Sequence, residues 1–399
     1  MAFKPLIMKI YGEMTKKLTY ILLSLAFTVV FSASALPQDT ASMPDSPDNK
    51  DNEKESSAPE TGEMKTQRFE VETSDVAQAD ASMEDFLKDQ FPIISDEAIE
   101  EILNGREYKE KIETEVIDSN TTEKVTRHLY YYEVGENYLV DTAKIMWQLN
   151  IPEFRSRIYQ YYKNDTILID TWNNVVGTIN DKTYAGHFAA YKLRNWPSWK
   201  DPDPKKAHLN ATPPGPKNPL GLFVVHYDEN SLRYFHGTNK NHLVYNEMRN
   251  LSHGCVRNDN DNIAKMKEFI IKRVVKADDL SGWLGSKRSM TYMMEESDKF
   301  PVEIIYKTFN IDSDSFGPYI EFFKDVYNYE RGNYDNSLND GSMVTLTTKE
   351  NIIEEFKKEY NKGLTVEELG LIIDGILPNK EYYTKYYFAD LKEKYLTNN

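Results

Sequence analysis

Ser252-His253-Gly254-Cys255-Val256-Arg257 is the stretch on which this chain is read, and His236-Gly237-Thr238 lies a short way before it. Cys255 is the only cysteine among 399 residues. The thiolate is the reactive form of cysteine, and a nearby imidazole is the usual device for generating it. Gly254 removes a side chain beside the sulfur, so a backbone or a substrate can approach closely. Ser252 and His253 add polarity to the turn. Arg257 is placed to bind a substrate carboxylate or to pair with an acid in the fold. His236 ends the strand pattern Leu232-Arg233-Tyr234-Phe235-His236, where an imidazole can face a cleft. The two segments can meet only by folding, as nucleophile and base commonly do.

Two plainer readings compete. A lone cysteine is often an inert core residue. His236, His253 and Cys255 are also three candidate zinc ligands. Only one residue separates His253 from Cys255, closer than structural zinc sites space their ligands, and there is neither an HExxH nor a second cysteine. No metal is therefore expected. His128, His187, His208, His226 and His242 do not cluster in sequence and read as surface or core residues, with His187 the one to watch.

The formal net charge is −16 and no basic stripe is visible, which argues against nucleic-acid binding. The N-terminus reads as an export signal over residues 1–35. Lys16 and Lys17 precede the apolar run Leu18–Phe31, and Ala33-Ser34-Ala35 follows as a cleavage site. The run is shorter than the roughly 20 residues a membrane span needs, so no stable span is expected once the signal is removed. Export sharpens the meaning of Cys255, since a single thiol cannot form an internal disulfide.

Residues 36–82 read as a disordered acidic linker. From Ser32 to Arg68 there is no aromatic residue, valine or isoleucine to offset the entropy of ordering. Residues 83–150 read as a small α+β lead-in. Two helical patterns run from Met83 to Gly105, the second capped by Ser95 or Asp96, and strand-like sequence follows to Val140. Residues 151–330 read mainly as β. Strands are expected at Arg155–Tyr162, Thr166–Trp172, Gly186–Leu193, Leu222–Tyr227, Leu232–His236 and Val302–Lys307. A six-proline loop, Lys200 to Pro219, reads either as a cleft wall or as a surface excursion. Asp259 to Val274 is an amphipathic helix with Ile263, Met266, Ile270 and Val274 on one face. Its N-terminus would lower the Cys255 pKa if the fold brought the two together. Residues 345–399 read as a C-terminal helical region of two or three short amphipathic helices, including Thr365–Ile376 and Tyr382–Tyr395.

The pairing of His-Gly-Thr with Ser-His-Gly-Cys-Val-Arg resembles the L,D-transpeptidase catalytic domain of the YkuD type. Val175-Val176-Gly177-Thr178 and Lys182-Thr183-Tyr184-Ala185-Gly186-His187-Phe188 are similar to a further family element, and Asn218-Pro219-Leu220-Gly221 matches its N-P-L-G element. Val302–Tyr306 resembles the closing strand. Three features depart from the pattern: Tyr184 in place of a proline, the long proline-rich loop, and an apparent insertion from Leu280 to Phe300.

The resemblance implies a mainly β, YkuD-like β-sandwich domain with one or more helices, flanked by the α+β lead-in and the C-terminal helical appendage. It implies an exported enzyme of the periplasm or cell wall, needing no cofactor and acting on peptidoglycan stem peptides. Cys255 would attack a stem-peptide carbonyl to give a thioester, with His236 as base. Gly237 would orient the base through its carbonyl. The N–H groups of Cys255 and Gly254 would face the oxyanion, with Ser252 and His253 supporting the pocket and Arg257 holding a carboxylate. The acceptor stays open: a second stem, a wall-anchored protein amine, a free D-amino acid or water. A carboxypeptidase or endopeptidase of the same fold and a non-catalytic wall-binding module are the alternative functions.

Overall fold

The chain is described by a computed structural model covering residues 64–396, except 119–120, 333, 336 and 360–362. The expected signal peptide and residues 36–63 of the expected linker lie outside the described residues.

The lead-in is a three-stranded antiparallel sheet carrying two helices. Strand β1 (Thr66–Glu72) and strand β2 (Glu107–Asp118) flank strand β3 (Thr121–Gly135). Helix α1 (Val76–Gln90) starts at Asp75, whose carboxylate accepts the Ala77 N–H at 2.9 Å. Helix α2 (Asp96–Asn104) starts at Ser95, whose hydroxyl accepts the Ala98 N–H at 3.1 Å. These side chains satisfy donors that a helix start leaves unpaired. Ala79, Met83 and Leu87 of α1 enter the same core as the larger sheet below. The expectation of a linker running to residue 82 is corrected here. β1 and the first turns of α1 lie inside that span, because Phe69 and Val71 alternate with outward glutamates and find a partner strand. Composition cannot register a partner that sits more than 50 residues away.

The main sheet carries the site. Its strands are β4 (Lys144–Asn150), β5 (Arg155–Tyr162), β6 (Asp165–Gly177), β7 (Gly186–Ala190), β8 (Lys192–Asn195), β9 (Phe223–His226), β10 (Tyr234–His236), β11 (Asn250–Ser252), β12 (Val256–Asn258), β13 (Met290–Met293) and β14 (Phe300–Lys307). The order is β13-β8-β9-β10-β12-β6-β5-β4-β14, with β11 added to β6 and β7 to β14. The segment read as one strand, Gly186–Leu193, breaks at Tyr191. Its first part pairs with β14 and its second with β9, at opposite ends of the sheet order. The sheet therefore curls on itself. Helix α3 (Asn260–Phe269) continues through a π-helical turn, Ile270–Val274, and buries Ile263, Met266, Ile270 and Val274 as the periodicity predicts.

The C-terminal region builds a second core. Strands β15 (Phe309–Asp314) and β16 (Gly317–Phe322) pair as a hairpin. After the two-residue β17 (Val344–Thr345) come helices α4 (Lys349–Glu359) and α5 (Val366–Ile376). Strand β18 (Lys385–Tyr387) then pairs with β16, and α6 (Phe388–Leu396) follows. Phe322, Ile352, Phe356, Ile372 and Phe388 pack together in this core. The helices expected from the sequence are present, and a sheet accompanies them. Lys385–Tyr387, read as helix, is strand because its hydrogen-bond partner lies some 65 residues earlier. No described helix is long and apolar enough to cross a membrane.

Trp147 of β4 holds the main sheet together at its centre. It is fully buried, stacks on Phe235 of β10 with centroids 4.0 Å apart and planes 4° apart, and meets Trp172 edge-on at 5.9 Å. Truncation there leaves a cavity that the surrounding strands cannot close. Trp147→Ala is expected to lower unfolding stability by about 3–5 kcal/mol in urea titrations. A loss below about 1 kcal/mol would show that the stack is not a support.

Candidate active site

Strand β10 runs parallel to β12, with Phe235 opposite Val256 and His236 opposite Arg257. Side chains alternate across a sheet, so this register sorts two faces. Phe235 and Val256 are fully buried in the core. Tyr234, His236 and Arg257 take the other face, and Cys255 stands just before β12 beside Tyr234. The thiol donates to the Leu232 carbonyl at 2.9 Å. The two motifs thus meet through two residue pairs of one ladder.

The turn bearing Cys255 is held by hydrogen bonds. The Ser252 hydroxyl accepts the Gly254 N–H at 3.1 Å and donates to the Cys255 carbonyl at 2.5 Å. Thr183 donates its hydroxyl to the Gly254 carbonyl at 2.9 Å and accepts the Gly177 N–H at 3.0 Å. Gly254 has φ +98°, and a Cβ there would lie 3.0 Å from Arg233 Nε and 3.1 Å from the Lys182 carbonyl. Glycine is required on both counts. Arg233 donates to that carbonyl at 2.7 Å and lies over the Tyr184 ring at 4.1 Å. Tyr184, the departure from the family pattern, thus steadies an arginine that packs against the nucleophile turn.

The His236 side depends on a second close approach. Gly221 has φ +66°, and a Cβ there would stand 2.8 Å from Gly237 Cα. The Asn-Pro-Leu-Gly element therefore seats directly on His-Gly-Thr. Asn218 anchors the element: its amide donates to the carbonyls of Pro197 (2.8 Å) and Pro213 (3.1 Å), and its oxygen accepts the Leu220 N–H at 2.9 Å. This ties the proline-rich loop to the site. Gly215 and Pro216 of the loop line a cleft of about 280 Å³ with Thr238 and Asn260, and Asp201 lies within electrostatic reach of His253. The cleft-wall reading of the loop fits this arrangement. A larger hollow of about 450 Å³, beside α1 and α2, contains none of these residues.

The charge states follow from burial. His236 is 4% exposed. Burial first, then the Arg257 cation, push its pKa down to about 3, against the carbonyls of Gly237 and Pro219, which favour protonation. Its Nδ1 is buried without a hydrogen-bond partner. Cys255 is half-buried, and burial pushes its thiol up to about 11, against Tyr234, Arg233 and Arg257. Each of the two groups is held neutral by its own burial. The sequence-based idea that a helix start lowers this pKa does not hold, because α3 begins beyond β12 and Asp259 and Asn241 occupy its first N–H groups. Burial dominates at the sulfur instead.

Other expectations divide. Arg257 makes no ion pair among the described residues, and burial lowers its pKa. The Gly254 N–H donates to the Ser252 hydroxyl, so it is already engaged within the turn. His253 is exposed, and no three His, Cys, Asp or Glu among the described residues converge as a metal site. His187 faces Glu303 of β14 rather than the thiol, its Nδ1 3.6 Å from the carboxylate. His226, read as an unremarked surface or core residue, belongs to the site face: its ring lies 4.8 Å from Tyr234, which lies 5.6 Å from His236. Tyr234 was missed as well. Its signal was parity, since it stands two residues before His236 on a strand.

Iodoacetamide alkylation of Cys255 tests the neutral pair. Deprotonation is what burial opposes, so the rate is expected to keep climbing up to about pH 10, with no inflection between about pH 5 and 7. Intact mass at timed intervals reads the rate. A plateau reached below about pH 8 would mean a preformed thiolate–imidazolium pair.

Residues 149–277 match the family model of the L,D-transpeptidase catalytic domain, YkuD. Among solved structures, Bd1075 of Bdellovibrio bacteriovorus matches at 12% identity over 41% of this chain and 48% of that one, with a TM-score of 0.24. The helical cell shape determining protein Pgp2 of Campylobacter jejuni matches at 15% identity over 42% and 48%, TM-score 0.24. An L,D-transpeptidase of Enterococcus faecium matches at 13% identity over 43% and 53%, TM-score 0.24. The chain spans about half the length of these three proteins. No curated protein matches it. The segment that matches holds β5, β6, both motifs and α3, and it is a YkuD-type L,D-transpeptidase catalytic domain.

Proposed function

We propose that the chain is an exported cysteine L,D-transpeptidase acting on peptidoglycan stem peptides. The observation that carries the reading is the β10–β12 register, which sets His236 opposite Arg257, two residues after Cys255, with no ion pair to Arg257 among the described residues. In the proposed first step the thiol hydrogen turns from the Leu232 carbonyl toward His236 Nδ1, which has no other partner. The sulfur attacks the carbonyl of the third stem residue as the proton leaves it. The C–N bond to the terminal D-alanine breaks, and His236 returns the proton to the departing amine. A thioester on Cys255 remains. An acceptor amine attacks the thioester, loses a proton to His236, and the thiol is restored.

The Cys255 N–H faces the developing oxyanion, and Arg257 takes a substrate carboxylate. Because the resting pair is neutral, the nucleophile forms during attack instead of being stored. An export signal over residues 1–35, which lie outside the described residues, would carry the enzyme to its substrate in the periplasm or cell wall.

Incubation of the purified protein with disaccharide tetrapeptide, followed by mass analysis, is expected to give D-alanine and a cross-linked dimer. Tripeptide without dimer would assign the hydrolase. Cys255→Ala is expected to lower turnover by at least about 10³-fold, and His236→Gln by about 10²–10⁴-fold. A carbapenem is expected to add one equivalent to Cys255. Full turnover by Cys255→Ala would end the nucleophile assignment and favour a wall-binding module.

A further inference from the structure

The loop from Gly177 to Thr183 holds the Cys255 turn from behind. The Thr178 N–H donates to the Ser252 carbonyl at 2.9 Å, and the Thr183 hydroxyl to the Gly254 carbonyl at 2.9 Å. The loop is tight. A Cβ on Gly177 would lie 2.1 Å from the Asp181 carbonyl oxygen and 2.7 Å from the Thr183 nitrogen. Two hydroxyls close it. That of Thr183 accepts the Gly177 N–H at 3.0 Å. That of Tyr327 donates to the Gly177 carbonyl at 3.0 Å and accepts the Thr183 N–H at 3.1 Å. Thr183 and Tyr327 are both fully buried.

Tyr327 belongs to the segment after β16, well past residue 277, where the family match ends. That segment is fastened to the end of β14. The Phe323 N–H donates to the Thr308 carbonyl at 2.8 Å, and the Tyr327 N–H to the Tyr306 hydroxyl at 3.0 Å. Asp325 accepts the Tyr306 hydroxyl and, at 3.0 Å, the Tyr329 N–H. The rings of Tyr306 and Tyr327 stack with centroids 5.4 Å apart, and Lys182 reaches over the Tyr329 ring at 4.7 Å. One buried hydroxyl from outside the matched segment thus bonds both ends of the loop behind Cys255. Satisfaction of buried polar groups would by itself account for two such bonds. It does not account for their place, at a residue whose own hydroxyl holds the Gly254 carbonyl.

We propose that Tyr327 is a positioning residue for Cys255, and that the segment after β16 is a strap that sets how firmly the thiol is held. This rests on Cys255 being the nucleophile of the function proposed above. Without the hydroxyl, the Thr183 N–H and the Gly177 carbonyl are left unpaired in the core. The loop regains partners by shifting toward water, and the Gly254 carbonyl bonded to Thr183 moves with it. Burial is what raises the thiol pKa, so a loosened turn exposes the sulfur and lets that pKa fall. The same shift misplaces the sulfur against the carbonyl it attacks, which costs rate and spares binding. The reactivity of the matched domain therefore depends on a residue supplied by the C-terminal part of the chain.

Iodoacetamide alkylation of Cys255 in the full-length protein, read by intact mass, tests this without turnover. Tyr327→Phe is expected to speed alkylation at about pH 7.5 by at least about 10-fold. Its plateau is expected to move down toward the ordinary cysteine value of about 8.5. With disaccharide tetrapeptide, kcat is expected to fall at least about 10-fold while KM stays within about twofold. Tyr329→Phe is the control. It removes a buried hydroxyl from the same aromatic cluster, one bonded to Asn339, and is expected to keep the unsubstituted profile. Each variant is assayed where urea titration shows it folded. If Tyr327→Phe does not fold, Asp325→Asn decides, since it loosens the strap at a half-buried position and is expected to shift the profile the same way. An unchanged profile in the deciding variant, or an equal shift in Tyr329→Phe, overturns the strap. D-Alanine release by the unsubstituted protein is measured in parallel. A shifted alkylation profile without that release would leave the positioning role standing and remove the transpeptidase reading, whereas release with an unmoved profile would do the reverse.

Discussion

The parallel pairing of Tyr234–His236 with Val256–Asn258 is the constraint on which the site depends. Two short strands, joined by only a few ladder contacts, set which side chains meet. A slip of one residue would send Phe235 and Val256 to the cleft and bury His236 and Arg257 in the core. The apolar parity prevents this. Phe235 lies flat on Trp147, and Val256 enters the same core, so the register is enforced from below by packing. The chemistry on the upper face follows from what the lower face requires.

Glycines and buried amides do the rest of the positioning. Gly254 lets the Cys255 turn pass under Arg233, and Gly221 lets the Asn-Pro-Leu-Gly element rest on Gly237. The second approach is closer than a Cβ permits, and both glycines hold positive φ. The result is a site that excludes water well enough to hold both titratable groups neutral. His236 sits low and Cys255 high, both through burial, and the Arg257 cation adds to the first shift and relieves the second. A neutral pair resists oxidation and alkylation at rest, because the thiolate is the reactive species.

Much of this was legible in the chain. Period-two patterns located β5 to the residue and most of the main strands, and period 3.6 located α2 and α3. The motifs named Cys255, His236 and Arg257 together. Less visible were β1, β15, β16 and β18, whose side chains become core only against distant partners. Tyr382–Tyr395 is helical by pattern, yet Lys385–Tyr387 is strand because the edge of β16 offers it hydrogen bonds. His226 and Tyr234 were overlooked because their neighbours in space belong to other strands.

The sequence by itself determined the residue types, the glycines and the strand parity of the site, since these are local properties of backbone and side chain. Only the tertiary structure decided the charge states and the register that sets His236 opposite Arg257. Burial and cross-strand register create those properties, and neither exists until distant segments pack. Ser252–Arg257 announced a reactive thiol. The fold made it a half-buried thiol that burial keeps protonated, on a sheet face that also carries an imidazole burial keeps neutral.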